Sequence, residues 1–257
     1  MVMTPIIINT RPLHRGDDIR TMDGVRVVDL PLLDIKDTFV NINDKNNLLA
    51  WQNDQYNALI VTSVESASRA IKHLNKLTKK PSTPMIAVGK ATAHCLTSAG
   101  FMPILPTTAN NEGMLRLPQI NSLTTGDQVL IWSGVGGRRL LHDTLTERGV
   151  HIDVITWYER TRPSLLDDNF ERIGPILKTI CQDKDTPIYV LISSQMAFTH
   201  WQSLAHQALD QRITERYHYL TLGERLKKIV STACPDNAAS LIHDLSKEHL
   251  GMVIAQG

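Results

Sequence analysis

Short polar and glycine-containing segments follow the apolar stretches of this 257-residue chain, and they are its first candidates for chemistry. A residue that ends an apolar strand and begins a helix leaves backbone N–H groups at the edge of a sheet, where they can bind carboxylate or phosphate. A Ser or Thr there can also serve only as the N-cap of its own helix. For one segment the cap is the simpler interpretation, but several such segments together favour an anion site. They are Thr10 with Arg11, Thr62 with Ser63, Gly89 with Lys90, residues 134–138, Ser193 with Ser194, and Gly223 with Glu224.

The sharpest local motif is Gly-Val-Gly-Gly-Arg-Arg at residues 134–139. A dinucleotide-binding fingerprint reads G-x-G-x-x-G after a strand, with an acidic residue about 20 positions later. Glu159 lies at a suitable distance, but Arg139 stands where the third small residue must allow close helix–strand packing. A nicotinamide site is therefore the second choice. Arg138 or Arg139 at the opening of a helix suits pairing with a carboxylate, and either can equally be a solvated surface residue.

Tyr158 lies near the end of a predicted strand, where its phenol can donate a hydrogen bond to a ligand or its ring can simply pack. The usual catalytic motifs are absent from the sequence: there is no G-x-S-x-G, no HExxH, no P-loop and no Cys/His group with metal-ligand spacing. We therefore expect no metal and no cofactor.

Composition narrows the class of protein. Lys and Arg number 27 against 26 Asp and Glu, and this balance argues against a nucleic-acid-binding protein. Cys95, Cys181 and Cys234 are odd in number and widely spaced, which favours a reducing compartment over a disulfide framework. The N-terminus lacks the pattern of a signal peptide, and no apolar run approaches the ~20 residues of a membrane span. We predict a cytoplasmic protein.

Alternation of short aliphatic runs with helical patterns predicts parallel sheets covered on both faces by helices. The predicted strands are residues 6–8, 58–61, 85–88, 129–132, 188–192 and 219–222. The predicted helices are residues 66–77, 91–99, 138–148 and 196–209.

An internal repeat in the sequence predicts two copies of one α/β unit, although any two α/β segments are similar to some extent. Residues 58–67 and 188–197 each pass from an apolar strand through two hydroxyl residues into a helix. Residues 25–35 and 150–159 are unusually long predicted strands that could leave one domain and enter the other. We therefore predict a discontinuous first domain, residues 1–35 and 161–257, with a second domain, residues 36–160, inserted in it.

Eight short segments stand in a specific order along the chain: Asn-Thr-Arg-Pro at 9–12, Leu-Pro-Leu-Leu-Asp-Ile at 30–35, Val-Thr-Ser at 61–63, Ala-Val-Gly-Lys-Ala-Thr at 87–92, Asn-Glu-Gly-Met-Leu at 111–115, the loop and helix at 134–149, Trp-Tyr-Glu-Arg at 157–160 and Leu-Ile-Ser-Ser at 191–194. In this order the segments resemble the uroporphyrinogen-III synthase family over nearly the whole chain. The first helix, between Pro12 and Gly24, is shorter than is usual in the family, and Leu226 stands where Thr is common. Residues 231–237 look compressed, which predicts that part of a strand is missing from the first domain.

The resemblance implies two similar flavodoxin-like α/β domains, each of three layers, joined by a two-stranded connection, with the active site in the cleft. It implies a hydro-lyase that closes hydroxymethylbilane, a linear tetrapyrrole with acetate and propionate arms, into uroporphyrinogen III. Tyr158 is then expected to position or protonate the departing hydroxyl group, and Arg11 and Arg138 to supply charge. The residues expected to bind carboxylate arms, mostly through backbone N–H groups, are Thr62, Ser63, Gly89, Lys90, Thr92, Ser193 and Ser194. Two other functions stay open: a nicotinamide-dependent oxidoreductase, and a non-enzymatic two-lobed anion-binding protein. A monomer without membrane or nucleic-acid partners is expected.

Overall fold

The computed structural model describes residues 4–15, 17–74, 80–137, 139–182, 186–208 and 215–256. The chain divides into two compact units. Unit 1 comprises Met1–Asp34 and Thr161–Gly257, and unit 2 comprises Ile35–Arg160. Among the described residues, no helix is both long and apolar enough to cross a membrane.

The described part of unit 1 holds a five-stranded sheet with the order β2-β1-β8-β9-β10. Each neighbouring pair is parallel. Counted along the chain within this unit, the order is 2-1-3-4-5, the flavodoxin-like arrangement. The strands are β1 (Ile6–Asn9), β2 (Arg26–Asp29), β8 (Ile188–Ile192), β9 (Tyr217–Leu222) and β10 (Ala239–Ile242).

Helices cover both faces of this sheet. Because side chains alternate along a strand, Ile6 and Ile8 of β1 join one apolar cluster and Ile7 joins another. The first cluster includes Phe170 and Trp201 from two helices on one face. Among its described residues, the helices of unit 1 are α1 (Asp17–Arg20), α8 (Leu166–Gln182), α9 (Gln195–Ala208), α10 (Glu224–Ala233) and α11 (Lys247–Ala255), with a 3₁₀ turn at Leu13–Arg15.

Unit 2 repeats this plan with the order β3-β7-β6-β4-β5. Its strand β4 also alternates, with Leu59 and Val61 in one apolar cluster and Ile60 in the other. The strands are β3 (Asp34–Asp37), β4 (Ala58–Val61), β5 (Met85–Ala87), β6 (Gln128–Gly134) and β7 (His151–Thr161). The helices are α2 (Ile42–Gln52), α3 (Val64–His73), α4 (Lys90–Ser98), α5 (Asn111–Leu115), α6 (Pro118–Asn121) and α7 (Leu140–Glu147).

The two sheets share a four-strand core, which confirms the predicted fold of two similar α/β units. The order β2-β1-β8-β9 in unit 1 corresponds to β7-β6-β4-β5 in unit 2. In unit 2 the place beyond β5 holds a single parallel bridge between Ile86 and Ile104 rather than a strand. The chain passes between the units twice, near residues 34 and 160.

One detail of the sequence prediction was wrong. The predicted long strand at 25–35 is two strands, β2 and β3, interrupted by residues 30–33. Pro31 lies in that interruption, and a proline has no N–H to donate to a sheet. Around the compressed segment at 231–237, α10 ends at Ala233 and the four-residue strand β10 follows at Ala239–Ile242.

Candidate active site

A cavity of about 590 Å³ lies at the carboxyl ends of the strands of unit 2. It is lined by residues that follow or end β4, β6 and β7, together with residues at the beginnings of α3, α5 and α7. Ligands of open α/β sheets bind at this edge because loops and helix N-termini meet there.

The ionisable Arg and His side chains around the cavity are basic. Arg139, His142 and Arg160 line it, and none of the described lining residues is Asp or Glu. Arg139 is largely exposed, with its Nε 3.8 Å from Asp143 Oδ1, and His142 Nδ1 lies 3.3 Å from the same oxygen. The lining suits an anionic ligand.

Tyr158 is buried at the end of β7, and a β-bulge fixes its direction. In the register of β6 and β7, Ser133 pairs with Thr156 but Gly134 pairs with Tyr158, so one extra residue stands on β7. A bulge of this kind redirects side chains. As a result the consecutive residues Trp157 and Tyr158 are both buried, in one apolar cluster.

Gly134 makes room for the Tyr158 ring. A Cβ atom on Gly134 would lie 2.5 Å from Cζ of Tyr158 and 2.8 Å from its Cε atoms. Only a residue without a side chain fits against the phenol in this arrangement. The glycine loop predicted as a binding motif therefore has a packing role at its first position.

The guanidinium groups of Arg69 and Arg160 lie close to the ring of Tyr158. Arg160 Nη2 donates to the Tyr158 hydroxyl oxygen at 3.1 Å, and the Arg160 Cζ lies 5.2 Å from the ring centroid. The Cζ of Arg69 lies 5.5 Å from the centroid. Arg69 is held by ion pairs with Glu65 and, at 2.6 Å, with Asp37. Burial lowers the pKa of Arg69, but hydrogen bonds from the guanidinium to Asp37 and Glu65 outweigh it, so the pKa is raised.

Thr62 and Ser63 also line the cavity, but their hydroxyls are engaged elsewhere. Thr62 Oγ1 donates to the carbonyl of Trp132 at 3.1 Å. Ser63 is the N-cap of α3: its Oγ accepts from the N–H of Ser66 at 3.1 Å and lies 2.6 Å from Ser66 Oγ. The backbone N–H of Thr62 donates to the same carbonyl of Trp132 at 3.0 Å. Of these two residues, Ser63 is therefore the one whose backbone N–H can bind a ligand.

Three other predicted residues of unit 2 lie at α4, outside the cavity lining. Gly89 is the N-cap, without a side-chain capping bond, Lys90 is exposed and Thr92 is buried. A Cβ on Gly89 would lie 3.2 Å from Cβ of Ala109, which does line the cavity. Arg138 lies outside the described residues.

The remaining predicted residues belong to unit 1 and do not line this cavity. Arg11 follows β1, and Ser193 and Ser194 follow the neighbouring strand β8, so they share the carboxyl edge of that sheet. Ser194 Oγ accepts from the N–H of Ala197 at 3.2 Å, which makes it the cap of α9. Burial, and then repulsion by Arg15, lower the pKa of Arg11, while Asp18 opposes the change.

Within the described part of the chain, no three His, Cys, Asp or Glu side chains are grouped as a metal site requires. The arrangement provides a hydroxyl donor, basic side chains and helix N-termini, and these groups bind and orient acids.

Comparison with known proteins decides the family. The sequence model of the family described as uroporphyrinogen-III synthase HemD matches residues 21–234. The chain belongs to the uroporphyrinogen-III synthase family.

Individual synthases resemble parts of the sequence. The chain is 30% identical to the uroporphyrinogen-III synthase of Escherichia coli K12 over 145 residues, which are 56% of this chain and 55% of that protein. It is 38% identical to that of Salmonella typhimurium LT2 over 76 residues, 29% of this chain and 30% of that one. The chain therefore spans about half the length of the first of these relatives, and less of the second.

Solved structures of synthases share the fold. A mutant uroporphyrinogen III synthase from the extremely thermophilic bacterium Thermus thermophilus matches with a TM-score of 0.64 at 13% identity, covering 98% of both chains. The synthetase from Helicobacter pylori 26695 matches with a TM-score of 0.58 at 14% identity, covering 99% of this chain and 100% of that one. Neither the nicotinamide-dependent oxidoreductase nor the two-lobed anion-binding protein is supported by these comparisons.

Several residues that line the cavity were not singled out from the sequence. Asn110 caps α5 by accepting from the N–H of Gly113 at 2.8 Å, directly before the quoted family segment at 111–115. Arg160 closes the quoted segment at 157–160. Ser133 and Thr156 line the cavity on the same strand faces as Ile131 and Val154, as the alternation of side chains along β6 and β7 requires. His142 lies in the quoted helix at 134–149 but was not singled out.

Proposed function

We propose that the chain is a uroporphyrinogen-III synthase that cyclises hydroxymethylbilane to uroporphyrinogen III, with loss of water and inversion of the last pyrrole ring, in tetrapyrrole and haem biosynthesis. The observation that supports this most directly is the unit 2 cavity, which has basic and hydroxyl groups, a buried tyrosine and no carboxylate in its described lining. A substrate with acetate and propionate arms is a polyanion, and such a lining attracts it. Family membership gives the reaction.

The reaction needs little acid–base power from the protein. The terminal C–O bond breaks, the hydroxyl leaves with a proton as water, and the electron-rich pyrrole stabilises the remaining cation. Ring closure through a spiro intermediate then returns a proton to solvent. Because the open chain also closes spontaneously to isomer I, the main task of the protein is to hold a flexible acid in the conformation that leads to isomer III.

In this proposal Tyr158 touches the departing hydroxyl and donates to it. Of the two predicted residues in the cavity, Ser63 binds a carboxylate arm through its backbone N–H, whereas the N–H of Thr62 already donates to the Trp132 carbonyl. Backbone N–H groups at the other predicted positions bind the remaining arms. Those positions are Gly89, Lys90, Thr92, Ser193 and Ser194, with charge from Arg11 and Arg138.

The deciding experiment is a product analysis. Purified protein is incubated with hydroxymethylbilane, and the cyclised products are separated by chromatography. Isomer III should dominate, whereas buffer alone should give isomer I. An isomer ratio equal to that of buffer would refute the proposed function, and an NADH fluorescence titration of the same sample would then test the oxidoreductase.

Tyr158→Phe tests the role of the phenol. The variant keeps the ring against Gly134 and removes only the hydroxyl, so the melting temperature should change little. We expect isomer III formation to slow about 10- to 100-fold, because one hydrogen bond to a developing charge is lost. An unchanged rate would remove Tyr158 from the mechanism.

We also propose that the two units are the domains predicted from sequence, residues 1–35 with 161–257 and residues 36–160. Unit 2 has its own two apolar clusters, and its first and last strands, β3 and β7, are neighbours in one sheet. Residues 36–160 expressed alone should therefore unfold cooperatively on heating. A fragment without a cooperative transition would contradict this.

We further propose a cytoplasmic monomer without a cofactor, metal, membrane or nucleic-acid partner. Cys95 and Cys234 are both free thiols, as a reducing compartment favours. Light scattering after size exclusion should give the mass of a single chain, and a dimer mass would contradict the proposal.

A further inference from the structure

The hydrogen bond between Arg160 and Tyr158 has a direction that the chemistry of the two groups imposes. A guanidinium has N–H donors and no acceptor, so Arg160 Nη2 donates to the phenol oxygen across 3.1 Å. The phenol proton cannot be given to Arg160. In the described part of the chain it has no acceptor, although the hydroxyl belongs to a residue that lines the cavity.

We propose that Arg160 is a positioning residue that acts through Tyr158. Arg160 donates a hydrogen bond to the phenol oxygen of Tyr158. The phenol proton therefore stays available for donation to a group bound in the cavity. This inference rests on the proposed function, in which that group is the departing hydroxyl.

The two arginines by the ring differ in their partners. Arg69 is engaged by Asp37 and Glu65, and its contact with Tyr158 is with the ring rather than with the hydroxyl. Arg160 forms no ion pair with a described carboxylate and contacts both the ring and the hydroxyl. Arg69 therefore supports the ring, and Arg160 orients the hydroxyl.

An alternative role for Arg160 is direct binding of a carboxylate arm, because its side chain also lines the cavity. The two roles differ in their dependence on the phenol. An arginine that acts through the Tyr158 hydroxyl loses its effect when that hydroxyl is absent, whereas an arginine that binds substrate keeps it.

A double-mutant cycle separates these roles. Isomer III formation is measured for the wild type, Arg160→Met, Tyr158→Phe and the double variant, because Met keeps the aliphatic stem and removes every donor. We expect Arg160→Met to lower kcat about 10- to 100-fold while KM changes less than about threefold. In the Tyr158→Phe background the same substitution should change kcat less than about twofold.

Arg139→Met is the matched control. Arg139 lines the same cavity without a described contact to Tyr158, so its effect should be of equal size in both backgrounds. Arg160→Lys, which keeps a donor and the charge, should recover part of the lost kcat.

The outcomes separate the two proposals. If the wild type forms no isomer III, the proposed function fails and the role of Arg160 with it. If the wild type forms isomer III but Arg160→Met costs as much with Phe at position 158 as with Tyr, or acts only on KM, the role of Arg160 alone is refuted.

Discussion

The carboxyl ends of two corresponding strand pairs differ between the units. In unit 1 the last pair in register between β1 and β2 is Asn9 with Asp29. In unit 2 the last pair between β6 and β7 is Gly134 with Tyr158. Asn9 is fully buried, and its Nδ2 donates to Asp29 Oδ1 at 2.8 Å. Asp29 Oδ2 in turn accepts from Arg20 Nε at 2.7 Å.

The difference shows how one scaffold yields two kinds of strand end. In unit 1, the two side chains at the strand ends are polar and are joined by a hydrogen bond. In unit 2, a glycine removes one side chain, and a bulge adds a residue to the other strand, so the phenol ring of a residue that lines the cavity lies at the same place. The scaffold is preserved while one glycine and one inserted residue change the chemistry.

In both units a threonine hydroxyl also joins the next pair of strands, β4 with β6 and β1 with β8. The threonine follows one strand of the pair in unit 2 and the other strand in unit 1. Thr62, after β4, donates to the carbonyl of Trp132 in β6. Thr10, after β1, donates to the carbonyl of Leu191 in β8. Since β6 corresponds to β1 and β4 to β8, both bonds join equivalent strands. These hydroxyls are a common structural device, and the specific chemistry lies at Gly134 and Tyr158.

The largest effect is expected from Gly134→Ala. The added Cβ would stand 2.5 Å from Tyr158 Cζ, and no rotation of the alanine relieves the clash. We expect a loss of about 1–3 kcal/mol in the free energy of unfolding and a loss of isomer III formation at least as large as in Tyr158→Phe. Urea denaturation and product analysis measure the two quantities.

Gly137→Ala is the control for this substitution. Its Cβ would meet only the carbonyl oxygen of Gly134, at an ordinary distance of 3.6 Å. Stability should therefore change by less than about 0.5 kcal/mol. If Gly134→Ala is as mild as the control, the ring does not depend on the glycine and the contrast between the units is lost.

At the corresponding pair of unit 1 we expect a similar effect on stability but a much smaller effect on isomer III formation. Asp29→Ala leaves the buried Nδ2 of Asn9 without its acceptor, which should cost about 1–3 kcal/mol of stability. Asp29→Asn keeps an acceptor oxygen and should cost less. Below the melting transition, both variants should still give isomer III as the main product. Loss of isomer III without loss of stability would place this strand end in the active site.

Ser63→Ala and Ser194→Ala compare equivalent helix caps in the two units. Each serine accepts a backbone N–H of the following helix, so each substitution should lower stability by about 1 kcal/mol. Because the hydroxyl of Ser63 is used by its own helix, Ser63→Ala should retain most isomer III formation. A selective loss of activity at unchanged melting temperature would show that this hydroxyl contacts the substrate.

Sequence patterns were sufficient to predict that sheets are covered by helices on both faces. Strands such as β4 and β8 are aliphatic at nearly every position because both faces are covered, and this continuity is visible in the sequence. β10 was missed because its four residues are only partly buried except for Ile242. The break after β2 was missed because the apolar run continues through Pro31, so hydrophobicity gave no sign of the interruption.

The sequence predicted only some of the residues of the candidate site. Thr62, Ser63 and Tyr158 were found because strand ends collect ligand-binding groups, and all three line the cavity. The contact of Gly134 with Tyr158 depends on a register shift between two paired strands, which the pattern of either strand alone does not encode. Arg160 was overlooked for the same reason: its role depends on the direction that the bulge gives to the phenol two residues earlier.

The smallest expected effect is a response to acid that the two units share. In unit 2, burial would raise the pKa of Asp54, but hydrogen bonds from Thr83 and Ser82 outweigh it and lower the pKa. In unit 1, hydrogen bonds from the side chain and backbone of Ser246 lower the pKa of Asp244. A carboxyl group whose pKa is lower in the folded state adds stability above its unfolded pKa of about 3.9 and loses it as the pH falls through the folded pKa.

Stability should therefore decline below about pH 4 through both units. Asp54→Asn and Asp244→Asn should each make the decline shallower, and Asn tolerates the positive φ of 57° at position 54. Urea midpoints between neutral pH and pH 3 measure the slopes. Both residues are exposed to solvent, so the changes should be small and similar. If only one variant changes the slope of stability against pH, acid destabilises one unit alone. The two units would then differ in their response to acid as well as at their strand ends.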